Sequence, residues 1–139
     1  MERPEGDRGT KKDLVIYRLK TSKETLKSAK ILFAAEEYKG ANNRAYYAIF
    51  HAMRSVLALD GLDSSKHSGI IAIFNEKYVR MGNFEGGISK VIASAYRLRE
   101  RADYQDFFIV TEQEAVEQIK KAEKILGMVE KYLEERRKN

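Results

Sequence analysis

The chain has 139 residues, no cysteine, 43% apolar and 34% charged residues, and a formal net charge of +5. That length suits one domain with a core of its own. It leaves no disulfide or thiolate metal site, and no apolar run nears the roughly 20 residues that cross a bilayer. The start MERPEGDRGTKK has no apolar segment of the secretory kind, so a cytoplasmic protein is expected. Residues 1–30 hold nine Lys/Arg against five Asp/Glu, whereas residues 111–139 hold seven of each. Charge alone therefore points only weakly to nucleic acid.

The one proline is Pro4, so everything after it is permissive for long helices. Alternating strand patterns and internal repeats are not evident. The expected organisation is a flexible N-terminus over 1–9, a bundle over 10–135 and a frayed tail over 136–139. The first helix is expected from about Thr10 to Tyr38, on the spacing of Leu14, Tyr17, Leu26, Ala29 and Phe33, with Gly40 as its left-handed terminator. The second runs from about Ala41 to Leu59 and closes at Asp60-Gly61. The third follows the Ser64-Ser65 pair, a source of N-caps, and runs to about Met81. Gly82-Asn83 turns the chain. The fourth helix covers about Phe84 to Asp103. The fifth opens on Thr111-Glu112-Gln113-Glu114, a capping box, and continues through Ile119, Ala122, Leu126, Val129 and Leu133. Short connections between such helices imply an all-α, antiparallel bundle of about five helices.

The second helix carries polar residues on an otherwise apolar surface. At about 100° per residue, with Arg44 at the origin, His51 falls at roughly 340°, Ser55 at 20°, Tyr47 at 300°, Arg54 at 280° and Asn43 at 260°. These positions make one stripe, and Ala, Ile, Phe, Met, Val and Leu fill most of the rest. Arg44 and His51 lie two turns apart on one side, with Tyr47 between them. A guanidinium forks onto phosphate, and an imidazole can move a proton near neutrality. A tyrosine can stack on a base. Such a set fits a phosphodiester. The same spacing also fits Arg44 paired with Asp103 and His51 as a hydrogen-bonded, half-buried histidine.

Elsewhere, His67 opens a helix, where the dipole disfavours its charge, and reads as a cap or packing residue. In YRLRERADY, Arg97, Arg99 and Arg101 could form a second basic patch, but a structural role is favoured: Arg99 and Asp103 can pair four residues apart, while Arg97 and Arg101 share a face, from which one of them could reach the site. No metal-ligand cluster or phosphate-cradling glycine loop is seen, and no cofactor is expected.

Taken together, ANNRAYYAIFHAMRSVLALDG, KHSGIIAIFNEKYVRMG and RLRERADYQDF, in that order, resemble the HEPN domain, and more narrowly its small stand-alone prokaryotic members. The likeness covers about residues 10 to 135. It implies a four-to-five-helix bundle, usually a homodimer. In active relatives an Arg and a His, four to six residues between them, meet their counterparts across the dimer and cleave RNA without metal. Arg44 and His51 enclose six. On this likeness they would be the catalytic pair, with Asn43, Tyr47 and Arg54 positioning RNA. Many relatives are toxins paired with a small nucleotidyltransferase antitoxin, and others bind nucleotides. Two positions depart from the pattern. Active relatives have a polar residue after the Arg, where this chain has Ala45. Some toxins have a modified Tyr two positions after the His, where it has Met53.

Overall fold

A computed structural model describes residues 10–138. The expected N-terminal segment 1–9 lies outside the described residues. Five α-helices follow one another: α1 (Lys11–Ala34), α2 (Tyr38–Leu59), α3 (His67–Phe74), α4 (Ile88–Tyr104) and α5 (Glu112–Lys138). A π-helical turn, Asn75–Val79, extends α3. Among the described residues there is no strand, and no helix is long and apolar enough to cross a membrane.

Side-chain contacts give the directions. Ser22 and Arg18 of α1 donate to the carbonyls of Ala48 and Arg54, so α1 and α2 are antiparallel. Arg99 meets Tyr47 and Asp103 meets Asn43, so α4 also opposes α2. Lys23 and Lys30 of α1 pair with Glu130 and Glu123 of α5. Thus α1 and α4 run one way and α2 and α5 the other. Helix α2 is central: Ala45, Tyr46, Ala48, Ile49, Ala52, Met53, Val56 and Leu57 are at most 1% exposed. Burying such a run against its neighbours is the main source of stability in a bundle of this size.

Several elements differ from expectation, each for a local reason. Helix α1 stops at Ala34, because Glu36 takes the left-handed conformation (φ 61°) and the N–H groups of Glu36 and Glu37 close back on Phe33 and Leu32. Gly40 lies inside α2; a Cβ there would sit 3.2 Å from Leu32 Cδ1, so its small size serves a close helix approach. On α1, Leu14 and Tyr17 are exposed, and the buried face runs through Val15, Arg18, Ser22, Thr25, Leu26 and Ala29. Helix α3 begins at His67 after Lys66; Ser64 instead accepts the N–H of Lys66 in the preceding turn. Helix α4 begins at Ile88, with Phe84 buried ahead of it. The Thr111–Glu114 capping box forms in both directions, at 3.1 and 3.0 Å. Helix α5 continues through the expected tail to Lys138, and Arg136 is bound to Asp60.

Candidate functional site

Along α2 from residue 43, the half-buried positions are Asn43, Arg44, Tyr47, His51 and Arg54, then Leu59 at the end. The predicted stripe is therefore the surface that this helix leaves open. Ser55 is not part of it. It is fully buried and donates to the carbonyl of Ala52 at 2.6 Å.

At one end of the stripe, the Asn43 side chain links two charged groups. Its Nδ2 donates to Asp103 at 3.1 Å, and its Oδ1 accepts from Arg44 Nε and Nη2 at 3.1 and 2.8 Å. Arg44 thus does not meet Asp103 directly. A neutral amide orients it, and among the described residues no carboxylate pairs with it. Its guanidinium lies 4.9 Å from the Tyr47 ring centre. Asp103 forms the expected pair with Arg99, at 2.9 Å.

Arg99 is a site residue that the sequence did not single out over its neighbours. It is 9% exposed, donates to the Tyr47 hydroxyl at 2.9 Å, and lies within 6 Å of the Tyr46, Tyr47 and Tyr104 rings. Arg97 and Arg101 are exposed. The only hint in the sequence was the four-residue step from Arg99 to Asp103. The partner across the bundle, Tyr47, is 52 residues away.

At the other end, Arg54 is tied down. Its Nη2 reaches both oxygens of Asp63, at 3.3 and 3.2 Å, and Arg18 donates to the same carboxylate at 3.3 Å. Two guanidiniums on one aspartate leave excess positive charge beside His51.

His51 lies between these ends, with the Phe50 ring at 5.7 Å and the Tyr47 ring at 6.2 Å. Burial pushes its pKa down to about 4, and the nearby Arg54, Arg44 and Arg18 push the same way. It is neutral at pH 7, with a lone pair ready to take a proton. Among the described residues nothing hydrogen-bonds its ring, and neither ring nitrogen is a buried orphan, so both face solvent.

His67 reaches the same place from α3. It stacks on Phe50 at 4.1 Å, lies edge-on to Tyr47 at 5.4 Å, and its Nδ1 is 3.0 Å from the Tyr46 hydroxyl. It packs, as expected, but makes no side-chain cap on its helix.

The five predicted residues are thus brought onto one face, with Arg99, Asp103 and His67 added from other helices. The arrangement is a cationic face backed by aromatic rings. It contains one guanidinium that meets no carboxylate among the described residues and one neutral imidazole open to solvent. Such a surface attracts an anion and can accept a proton from a group bound to it.

Comparison with known proteins agrees with this architecture. The HEPN domain profile matches residues 15–132. A UPF0332 protein of Thermotoga maritima is 33% identical over 125 residues, covering 90% of this chain and 95% of that protein. A Methanocaldococcus jannaschii protein named "Putative toxin MJ0605" is 38% identical over 117 residues, covering 84% of this chain and 87% of its own length. A second from that organism, named "Putative toxin MJ0142", is 25% identical over 115 residues. With the family match spanning nearly all the described helices, this chain belongs to the HEPN domain family.

Proposed function

We propose that this chain is a toxin-like, metal-independent endoribonuclease that works as a cytoplasmic homodimer through the Arg44–His51 face of α2. The observation that carries the reading is the Arg44 guanidinium, aimed by Asn43 and without a carboxylate among the described residues, two turns from a neutral and open His51. The toxin role is taken from the names of the Methanocaldococcus relatives.

The step is in-line attack within RNA. The lone pair of His51 removes the proton of a ribose 2′-hydroxyl, and the 2′-oxygen bonds to the adjacent phosphorus. The bond from phosphorus to the 5′-oxygen breaks, and that oxygen takes up a proton. A cyclic phosphate and a free 5′-hydroxyl result. Arg44 stabilises charge on the phosphoryl oxygens, and Tyr47 and Arg54 position the strand. The His51 of a second copy, charged once a phosphate anion offsets the arginines, would supply the proton to the leaving group. This division of labour requires a two-fold dimer.

The Ala45 departure has a local reading. Ala45 is fully buried, so a polar side chain there would face the core. Asn43 supplies a polar neighbour to Arg44 from the preceding position. Met53, where some toxins carry the modified tyrosine, is also fully buried. A nucleotidyltransferase partner would therefore act by docking on this protein, not by modifying that position.

The test is cleavage of mixed RNA in EDTA, wild type against His51→Ala. Expected are cyclic-phosphate ends from the wild type and none from the variant; cleavage that survives the substitution sinks the mechanism. A second reading is a module that binds a nucleotide or RNA without cleaving it. It is favoured by the low His51 pKa, which leaves a single chain with a base and no ready acid. Saturable nucleotide binding with no turnover would select it.

A further inference from the structure

The buried hydroxyl of Tyr46 determines which nitrogen of His67 carries a proton. Tyr46 is fully buried, and its one hydrogen-bond partner among the described residues is His67 Nδ1, at 3.0 Å. If Nδ1 held the proton and donated it, the hydroxyl proton would be buried with nothing to accept it. If the hydroxyl donates, every group is satisfied, and the neutral ring carries its proton on Nε2. Burial pushes the Tyr46 pKa up, so the hydroxyl keeps its proton; burial and the neighbouring Arg99 push the His67 pKa down, Glu100 pushes it up, Arg54 pushes it down, and the net shift is downward. The ring is thus a neutral imidazole, clamped flat on Phe50. Among the described residues its Nε2 has no partner, and it is not a buried orphan, so it is open to solvent.

The place of this ring gives the free N–H a use. Phe50 lies 4.1 Å from His67 and 5.7 Å from His51, which puts the two imidazoles within about 10 Å of each other. Tyr47 touches both rings and also lies beneath Arg44. We propose that His67 is a second imidazole of this site, held by Tyr46 in the Nε2–H tautomer so that it donates a hydrogen bond to an anionic oxygen of a bound phosphate. The two histidines then differ in kind. His51 offers a lone pair and takes a proton, whereas His67 offers an N–H and transfers none. Tyr46 is a positioning residue that acts only through His67. The assignment rests on the phosphate-directed reading of the Arg44–His51 face.

Two measurements test it. In protein labelled with 15N-histidine, two-bond proton–nitrogen correlations of His67 should show a protonated Nε2 and a bare Nδ1. Tyr46→Phe should turn this into a mixture of tautomers while His51 keeps its pattern. A wild-type His67 protonated on Nδ1 overturns the clamp. Titration with 5′-AMP, and separately with inorganic phosphate, should then shift the His51 and His67 signals together. His67→Phe keeps the stack on Phe50 and should weaken binding by about tenfold, the loss of one hydrogen bond to a charged oxygen. His67→Gln retains an N–H donor and should recover most of that loss. If His51 responds and His67 does not, or if His67→Phe binds as wild type, the role of His67 falls and the phosphate reading stands. If neither imidazole responds to either probe or to single-stranded RNA, the phosphate reading fails, and the ligand role of His67 with it.

Discussion

At the α2–α4 face, Arg99, Asp103 and Tyr47 join with Asn43 and Arg44; where α2 ends, Arg136, Asp60, Tyr132 and Tyr78 join in much the same way. Both clusters combine arginine, aspartate and tyrosine. In the second, Arg136 donates to Asp60 at 2.8 Å and to Tyr132 at 2.5 Å, and Tyr78 donates to Asp60 at 2.5 Å. Its one guanidinium meets its one carboxylate, and it ties the last turn of α5 to the end of α2. In the first, Asp103 is taken by Arg99 and Asn43, which leaves Arg44 on an amide with no carboxylate partner among the described residues. The residue types are shared, and the difference lies in whether the charge closes on itself. A closed cluster holds the fold, and an open one beside a neutral histidine is fit to receive an anion.

The largest expected effect breaks the open cluster at its reacting group. His51→Ala should lower RNA cleavage by about 10²–10⁴, the usual worth of a general base, with little change in melting temperature. In the wild type, kcat/KM should have an acid limb near pH 4, where an ordinary histidine near 6.5 would already be protonated. The sign follows from the base: neutral His51 persists as pH falls to 5 and is lost through about 4, whereas the proton that the second His51 must supply is lost as pH rises, so the profile is a bell and not a plateau. A limb at 6.5 would mean that the burial and arginine effects on His51 are absent in solution. The same shift acts on stability. The unfolded chain binds a proton near 6.5 that the folded chain refuses until about 4, so this contribution falls as pH drops between those values.

Next in size is the loss of the Arg44 fork. Arg44→Lys keeps the charge but not the fork, and should lower cleavage by about 10²-fold, as when one donor to a developing anion is lost. Asn43→Ala removes only the amide that aims Arg44, and about tenfold is expected, the worth of a hydrogen bond to a charged group. If Asn43→Ala proves as damaging as Arg44→Lys, the amide contacts substrate itself and its positioning role is too small a description.

How far this contrast could be read beforehand depends on where the partners sit. The α2 stripe was legible because five positions within one helix share an arc fixed by helical geometry alone. Ser55 fell at the edge of that arc, but its hydroxyl can bond to its own helix backbone, and a helical wheel cannot distinguish that from exposure. On α1, Leu26 and Ala29 are buried as expected, but the first turns of the inner face were misplaced by one residue, at Leu14 and Tyr17 instead of Val15 and Arg18, because Arg18, Ser22 and Thr25 look like solvent-facing side chains. Arg18 and Ser22 find their main partners on α2 and the following loop, far along the chain, and Thr25 bonds back to its own helix. Arg99 and His67 were out of reach for the same reason. Their contacts with Tyr46, Tyr47 and Phe50 follow from packing between helices, which local periodicity does not encode.

The smallest effect is expected where the cluster is closed, and it is the sharpest check on the contrast. Asp60→Asn keeps the shape of the side chain and removes its charge. Arg136 would lose a partner that is about one-third exposed, and Tyr78 would keep an acceptor in the amide oxygen. A pair about one-third exposed with good geometry is worth about 1 kcal/mol, so the melting temperature should fall by a few degrees. The hydrogen bond from Arg136 holds the Asp60 pKa below its ordinary 3.8. The stabilisation is therefore complete above 3.8 and lost as pH falls through the lowered value. The wild type and Asp60→Asn should differ at pH 7 and converge in strong acid. Cleavage at pH 7 should be unchanged, because no group of this cluster touches the Arg44–His51 face. If Asp60→Asn instead lowers activity while the melting temperature holds, the end of α2 belongs to the site, and the division into a closed and an open cluster is wrong.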